Sequence, residues 1–267
     1  MGAKRAKPAS PRAHAGDGET NALATEAFRI AAKRMREAGF DVGGRIEVFM
    51  DPKLDVGGYS IRGEGDRFRI VASGMAVRSG LLDGLLLHEM SHIYRMRTNH
   101  PSHDSRIIED VTNRVASGVV TEDYQRKMLH DLVNNVEDLY ADDIAFPVMR
   151  KNGLLTVGQE SELFLGWVED RPAESRDATR VRWENAWSLA NNARAIAEME
   201  RQDVPDTGGR AAALNDRLVS QMGPGARGHF DYFRSLLANL KDGITGNEYR
   251  ALLIEYLGRF RDAAEPT

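Results

Sequence analysis

Over residues 22–38 the apolar positions recur at helical spacing. Leu23, Ala27, Ile30, Ala31 and Met35 share one face, and Gly39 ends the run. The period then drops to two. Ile46, Val48 and Met50 alternate with Arg45, Glu47 and Phe49, which predicts a strand. Asp55, Gly57 and Gly58 turn the chain. Residues 59–62 predict a second strand, 63–66 a turn and 67–72 a third strand. A helix is predicted over 76–97, and Pro101 forces the break after it. Leu132, Val136, Leu139 and Tyr140 mark the apolar face of a further helix over 131–146. Beyond residue 150, helices are predicted over 177–201, 210–222, 229–240 and 246–260. Thr245 and Glu248 form a capping box before the last of these. Trp183, Trp187, Leu252, Leu253 and Leu257 are expected in the core, and the chain carries no internal repeat.

The helix predicted over 76–97 carries His88-Glu89-Met90-Ser91-His92, an H-E-x-x-H pentapeptide. Residues i and i+4 lie on one helical face, so His88 and His92 can present two imidazoles to one metal ion. Glu89 lies beside them, where its carboxylate can reach a water on that metal. With seven His in 267 residues, chance supplies the pattern about 0.01 times per chain. Leu81 and Leu85 fall on the same stripe as the two His, as a buried helix would place them.

Composition narrows the chemistry. The chain has 267 residues, enough for one large domain or two small ones, and a formal net charge of -4. That charge makes no electrostatic case for nucleic acid or an anionic membrane. There are no Cys, so disulfides, thiolate ligands and cysteine nucleophiles are excluded and a metal must be held by His, Asp or Glu. No run approaches the ~18 apolar residues of a membrane span. Residues 1–20 are rich in Ala, Gly, Pro and charge and lack the apolar stretch of a secretory signal, so they are expected to form a disordered tail. The expected localisation is cytoplasmic.

Two imidazoles need a third ligand, because catalytic zinc sites generally have three protein ligands. The order of a helix, a small sheet and then an H-E-x-x-H helix resembles the zincin metallopeptidases. In that fold the strand before the motif helix is an edge along which substrate pairs, and Phe68 to Val71 would be that edge here. The metzincin branch needs Gly and His three and six residues after the second motif His. Arg95 and Thr98 stand there, which removes that branch. Asp138-Leu139-Tyr140-Ala141-Asp142 resembles the E-x-x-A-D signature of the HtpX and CAAX-prenyl-protease type of gluzincin, with Asp in place of the usual Glu. The resemblance implies Asp138 as the metal ligand and Asp142 as the group that orients a ligating imidazole.

Glu137 is the rival ligand, with the more usual carboxylate but with Ala141 one turn on. H-E-x-x-H together with His100-Pro101-Ser102-His103 and an Asn-x-x-x-Asp-Leu-Tyr-Ala-Asp-Asp segment also resembles an uncharacterised archaeal family of metallopeptidase type. These resemblances cover residues 45–146. The plain alternative for the acidic segment is a solvated face, since Asp131, Asn135, Asp138 and Asp142 lie opposite the apolar stripe.

His103 is a candidate oxyanion stabiliser, and either His100 or His103 could be a ligand. The plain reading of the segment is a helix break with Ser102 capping a helix over 105–116. Tyr94 and Tyr140 could also donate to an oxyanion or simply pack.

The expected fold is α+β and zincin-like: a small β-sheet packed on the H-E-x-x-H helix and a ligand-bearing helix, with a mostly helical C-terminal half. The expected organisation is a tail over 1–20, a metallopeptidase core over 21–150 and a helical region over 151–267. The expected function is that of a soluble zinc-dependent hydrolase cleaving peptide bonds, with Zn²⁺ on His88, His92 and Asp138 and Glu89 as general base on a zinc-bound water. The expected partner is a peptide or protein substrate. The C-terminal helices are a candidate surface for a further protein partner, and neither a membrane nor a nucleic acid is expected. The alternative is a non-catalytic metal-binding or scaffold protein built on the same core.

Overall fold

The computed structural model describes residues 17–54, 57–78, 80–117 and 120–265. Most of the expected N-terminal tail, residues 1–16, lies outside the described residues. From Asp17 onward the backbone is already helical, in α1 (Asp17–Glu37). Three strands follow: β1 (Arg45–Asp51), β2 (Gly58–Arg62) and β3 (Arg67–Ser73). Then come α2 (Gly74–Arg78), α3 (Leu82–Arg97), α4 (Ser105–Ala116) and α5 (Asp123–Lys151). The remaining helices are α6 (Val157–Leu165), α7 (Ala178–Arg201), α8 (Arg210–Gln221), α9 (Ala226–Ala238) and α10 (Gly246–Ala264). The fold is α+β, mostly helical, with one small sheet among the described residues.

The sheet runs β1-β3-β2, with β1 parallel to β3 and β2 antiparallel to it. The strand expected at the edge, β3, is therefore the centre, and β2 is the edge beside the motif helix. Alternation holds only in the first half of β3, where Phe68 and Ile70 are buried and Arg67 and Arg69 exposed; from Ile70 to Ser73 every residue is buried. Period-two patterning reports which face is covered and not how many neighbours a strand has, so it could not choose between the two places. Gly58 opens β2 where a Cβ would lie 2.7 Å from the Val71 carbonyl oxygen and 3.3 Å from Leu85 of α3. Glycine is required here chiefly because a Cβ would strike the β3 backbone.

The helix predicted over 76–97 is two helices. Gly80 has φ +73°, a left-handed conformation that ends the first and re-aims the chain before Leu82. Leu81, expected on the buried stripe, is 67 % exposed. From Leu82 on, α3 buries Leu86, Leu87, Met90 and Ile93 against Ala31 and Met35 of α1, against β3, and against Ile144, Ala145 and Val148 of α5. Burial of this stripe holds the helix, at about 25 cal/mol for each Å² of apolar surface removed from water.

A second core lies on the other side of α5. Leu132, Val136 and Leu139 pack there with Val111 of α4, Trp183 and Leu189 of α7, Phe233 of α9, and Tyr256, Leu257 and Phe260 of α10. Thus α5 belongs to both cores. The predicted C-terminal helices are found within a few residues of their expected bounds, and the Thr245–Glu248 capping box is present. Helix α6 was not anticipated, although its own capping box, Thr156 with Gln159, stood in the sequence.

Candidate metal centre

Helix α3 carries the motif across the face that meets α5 and β2. His88 and His92 sit one turn apart on that face, with their Nε2 atoms 3.1 Å from each other. Asp138 reaches the same point from α5: its Oδ1 lies 3.3 Å from His92 Nε2 and 3.8 Å from His88 Nε2. Among the described residues, this is the one group of three or more His or carboxylate side chains whose ligand atoms all lie within 4.8 Å of one another. Tetrahedral zinc with ligands at ~2.0–2.2 Å sets ligand atoms roughly 3.3–3.5 Å apart, close to the observed separations.

The outer nitrogens of both rings are fixed. His88 Nδ1 is 2.8 Å from Asp142 Oδ1, and a carboxylate only accepts, so Nδ1 carries a proton and the other ring nitrogen, Nε2, faces Asp138 and His92. His92 Nδ1 is 2.8 Å from His103 Nε2. Two lone pairs held 3.1 Å apart repel unless a cation or a proton stands between them. The donor set, two imidazoles and one carboxylate, suits a borderline divalent ion such as zinc. By spacing, donor chemistry and fixed tautomer, the residues fit a metal.

The electrostatics agree with that geometry. Burial alone would lower the His88 pKa, but the carboxylates of Asp142, Asp138 and Glu89 outweigh it and hold the metal-free ring up to about 10. Asp138 is desolvated, which favours its neutral form. The Arg194 guanidinium and the two imidazoles override this and keep its carboxyl well below the usual carboxylate range. Burial, together with the neighbouring His92, His100 and Arg95, pushes His103 well below the ordinary histidine value.

Glu89 is buried at 3 % exposure and lines a cleft of about 350 Å³ together with His88, His92 and Asp138. Tyr59 and Ser60 of the β2 edge form the wall opposite. Glu137 lines the same cleft without joining the three converging groups. Burial and the neighbouring Asp138 charge raise its carboxyl to about 8. Asp142 is buried behind His88. His103 stands behind His92 and also reaches the cleft wall. Tyr140 is buried, and its hydroxyl donates to the Lys241 carbonyl at 3.4 Å, so it does not face the cleft. Tyr94 packs edge-on against Phe40.

The chain belongs to a family of unknown function, DUF5781, whose model matches residues 20–261. No curated protein and no solved structure matches it. The family match takes in the H-E-x-x-H helix, the Asp138 helix and the C-terminal helices as one unit.

That unity is visible at the site. Arg194, from α7, donates to Asp138 Oδ2 at 3.0 Å and to Asn135 Oδ1 at 2.5 Å. It leaves Oδ1 of Asp138 turned to the imidazoles. Nothing near Arg194 in the sequence signals this, because its partners lie 56 and 59 residues away. The acidic face of α5 is accordingly solvated only in part: Asn135 and Asp142 are buried, while Asp131 forms an exposed ion pair with Lys127. The cap of α4 is Asp104, which accepts from the Arg106 amide, rather than Ser102. Ser102 is fully buried and bridges two imidazoles instead. No helix among the described residues is long and apolar enough to cross a membrane.

Proposed function

We propose that this protein is a zinc-dependent hydrolase with a zincin-like core, acting on peptide bonds. The observation that carries the reading is the convergence of His88 Nε2, His92 Nε2 and Asp138 Oδ1, with both imidazoles oriented through their Nδ1 atoms. His88, His92 and Asp138 would hold the ion. When bound, it supplies a Lewis acid and brings the pKa of a coordinated water toward ~7.

The chain's own residues do the rest. Glu89 lies beside the two ligands in the cleft and takes a proton from the attacking water at its carboxylate, then returns it to the leaving nitrogen. Asp142 holds His88 by its Nδ1 proton and keeps the ring turned. Arg194 neutralises the outer oxygen of Asp138. The open edge of β2 beside Glu89 suits an extended peptide, whose backbone can pair along it. The preference for an amide of a peptide rests on this edge and on the gluzincin-like Asp138–Asp142 spacing.

Zinc content after purification from metal-replete medium, followed by peptide hydrolysis by wild type and Glu89→Gln, tests the reading. The expected result is about one zinc per chain in both and a loss of roughly 10²–10⁴-fold in rate for the variant. A zinc-loaded Glu89→Gln protein with wild-type hydrolysis would exclude the catalytic role. A wild-type chain that binds no zinc would exclude the metal site itself.

A further inference from the structure

His92 is held by a chain of hydrogen bonds that leaves the site and ends in the C-terminal half. His92 Nδ1 meets His103 Nε2 at 2.8 Å, and His103 Nδ1 meets Ser102 Oγ at 2.7 Å. Ser102 Oγ meets His100 Nδ1 at 2.7 Å, and His100 Nε2 meets the Asp242 carbonyl oxygen at 2.8 Å. Asp242 lies between α9 and α10, and its carboxylate is bound by Arg95 of α3 at 2.5 Å.

The chain has one direction. A carbonyl oxygen only accepts, so His100 carries its proton on Nε2. Its Nδ1 is then an acceptor, as the Ser102 backbone N–H pointing at it from 3.3 Å also requires. Ser102 has one hydroxyl proton, and it goes to His100 Nδ1. Its oxygen must therefore accept from His103, which fixes the His103 proton on Nδ1. His92 turns Nε2 to the point shared with Asp138 and His88, so its proton sits on Nδ1 and is donated to the lone pair of His103 Nε2. The last lone pair in the series is His92 Nε2, aimed at His88 and Asp138.

We infer that His100, Ser102 and His103 are positioning residues that set the tautomer of His92, with the Asp242 carbonyl as the fixed end of the relay. This rests on the zinc site proposed above. It explains why three polar side chains follow the motif helix in a turn where a single cap would serve. It also gives the α9–α10 loop a hold on metal affinity from outside the cleft: if the Asp242 carbonyl moves, His100 is free to turn over, and the preference passes down the chain.

Long-range ¹H–¹⁵N spectra of histidine-labelled full-length protein, with and without zinc, read each tautomer directly. His92 and His103 are expected with protons on Nδ1, and His100 on Nε2. Zinc titrations of Ser102→Ala and His103→Leu are expected to show affinity weakened about 10–100-fold. His103→Gln, whose amide oxygen can still accept from His92 Nδ1, is expected to recover most of it, which a packing role for His103 would not produce. A His103 proton found on Nε2 overturns the relay. So does wild-type zinc affinity in folded Ser102→Ala and His103→Leu. Should the wild type bind no zinc while showing the expected tautomers, the relay stands and the zinc reading fails.

Discussion

Arg194 donates to Asp138 Oδ2 at 3.0 Å across the interface of α7 and α5, and so holds the carboxylate whose other oxygen meets the two motif imidazoles. A guanidinium suits this position because it stays charged and its planar fork serves Asn135 and Asp138 together. A buried carboxylate left without it faces the imidazoles as the sole balance to its charge.

Replacing Arg194 by Met keeps much of the side chain's apolar stem and removes its charge. Breaking a fully buried pair costs about 3–5 kcal/mol, and the loss here should be smaller, because Asp138 keeps the two imidazoles and lines the cleft. Urea denaturation of Arg194→Met should show that loss in the midpoint without a change of slope. Zinc affinity should fall as well, since Asp138 is no longer held. A variant as stable as wild type would mean that Asp138 finds another partner.

A ligand that binds only the folded chain stabilises it by mass action. Zinc at 100 times its dissociation constant is expected to add ~2.7 kcal/mol, read as a rise in Tm, and a chelator should reverse it. His92→Ala should abolish the rise. Equal shifts in wild type and His92→Ala would place the ion elsewhere.

Glu198 of α7 is fully buried. Burial first, and then the nearby Asp142 charge, pushes its carboxyl well above the ordinary 4.5, although Arg194 opposes this. The folded pKa thus exceeds the unfolded one. Between the two, the folded chain binds more protons, so this group's contribution is complete below about pH 4.5 and declines as pH rises through the folded value. Glu198→Gln should remove that decline and flatten the stability profile above pH 4.5. An unchanged slope would show that Glu198 is ionised in the folded chain.

Much of this was readable from residue order. The period-3.6 runs gave α1, α3, α5 and the C-terminal helices, and the i, i+4 spacing of His88 and His92 gave their shared face. Asp138 and Asp142, spaced one turn apart, are in the structure the carboxylate among the imidazoles and the one behind His88. What could not be read depends on long-range packing. Strand order is one example, since the alternation in β3 is the same at an edge or at the centre. The helix break at Gly80 is another, because an isolated glycine within a helical pattern is tolerated as well as able to end one. Arg194 is the clearest case: one arginine among the chain's many becomes part of the site only because α7 packs on α5.

The shared position of α5 also sets an order of events during synthesis. Chains emerge from the N-terminus, and the H-E-x-x-H helix is complete by Arg97. The arginine that holds Asp138 follows that residue by 56 positions, and the carbonyl that ends the relay follows His100 by 142. A nascent chain thus carries the motif long before it can hold the centre in place. On the hydrolase reading proposed above, the centre would be complete only once residue 242 has been made, a delay built into the residue order itself.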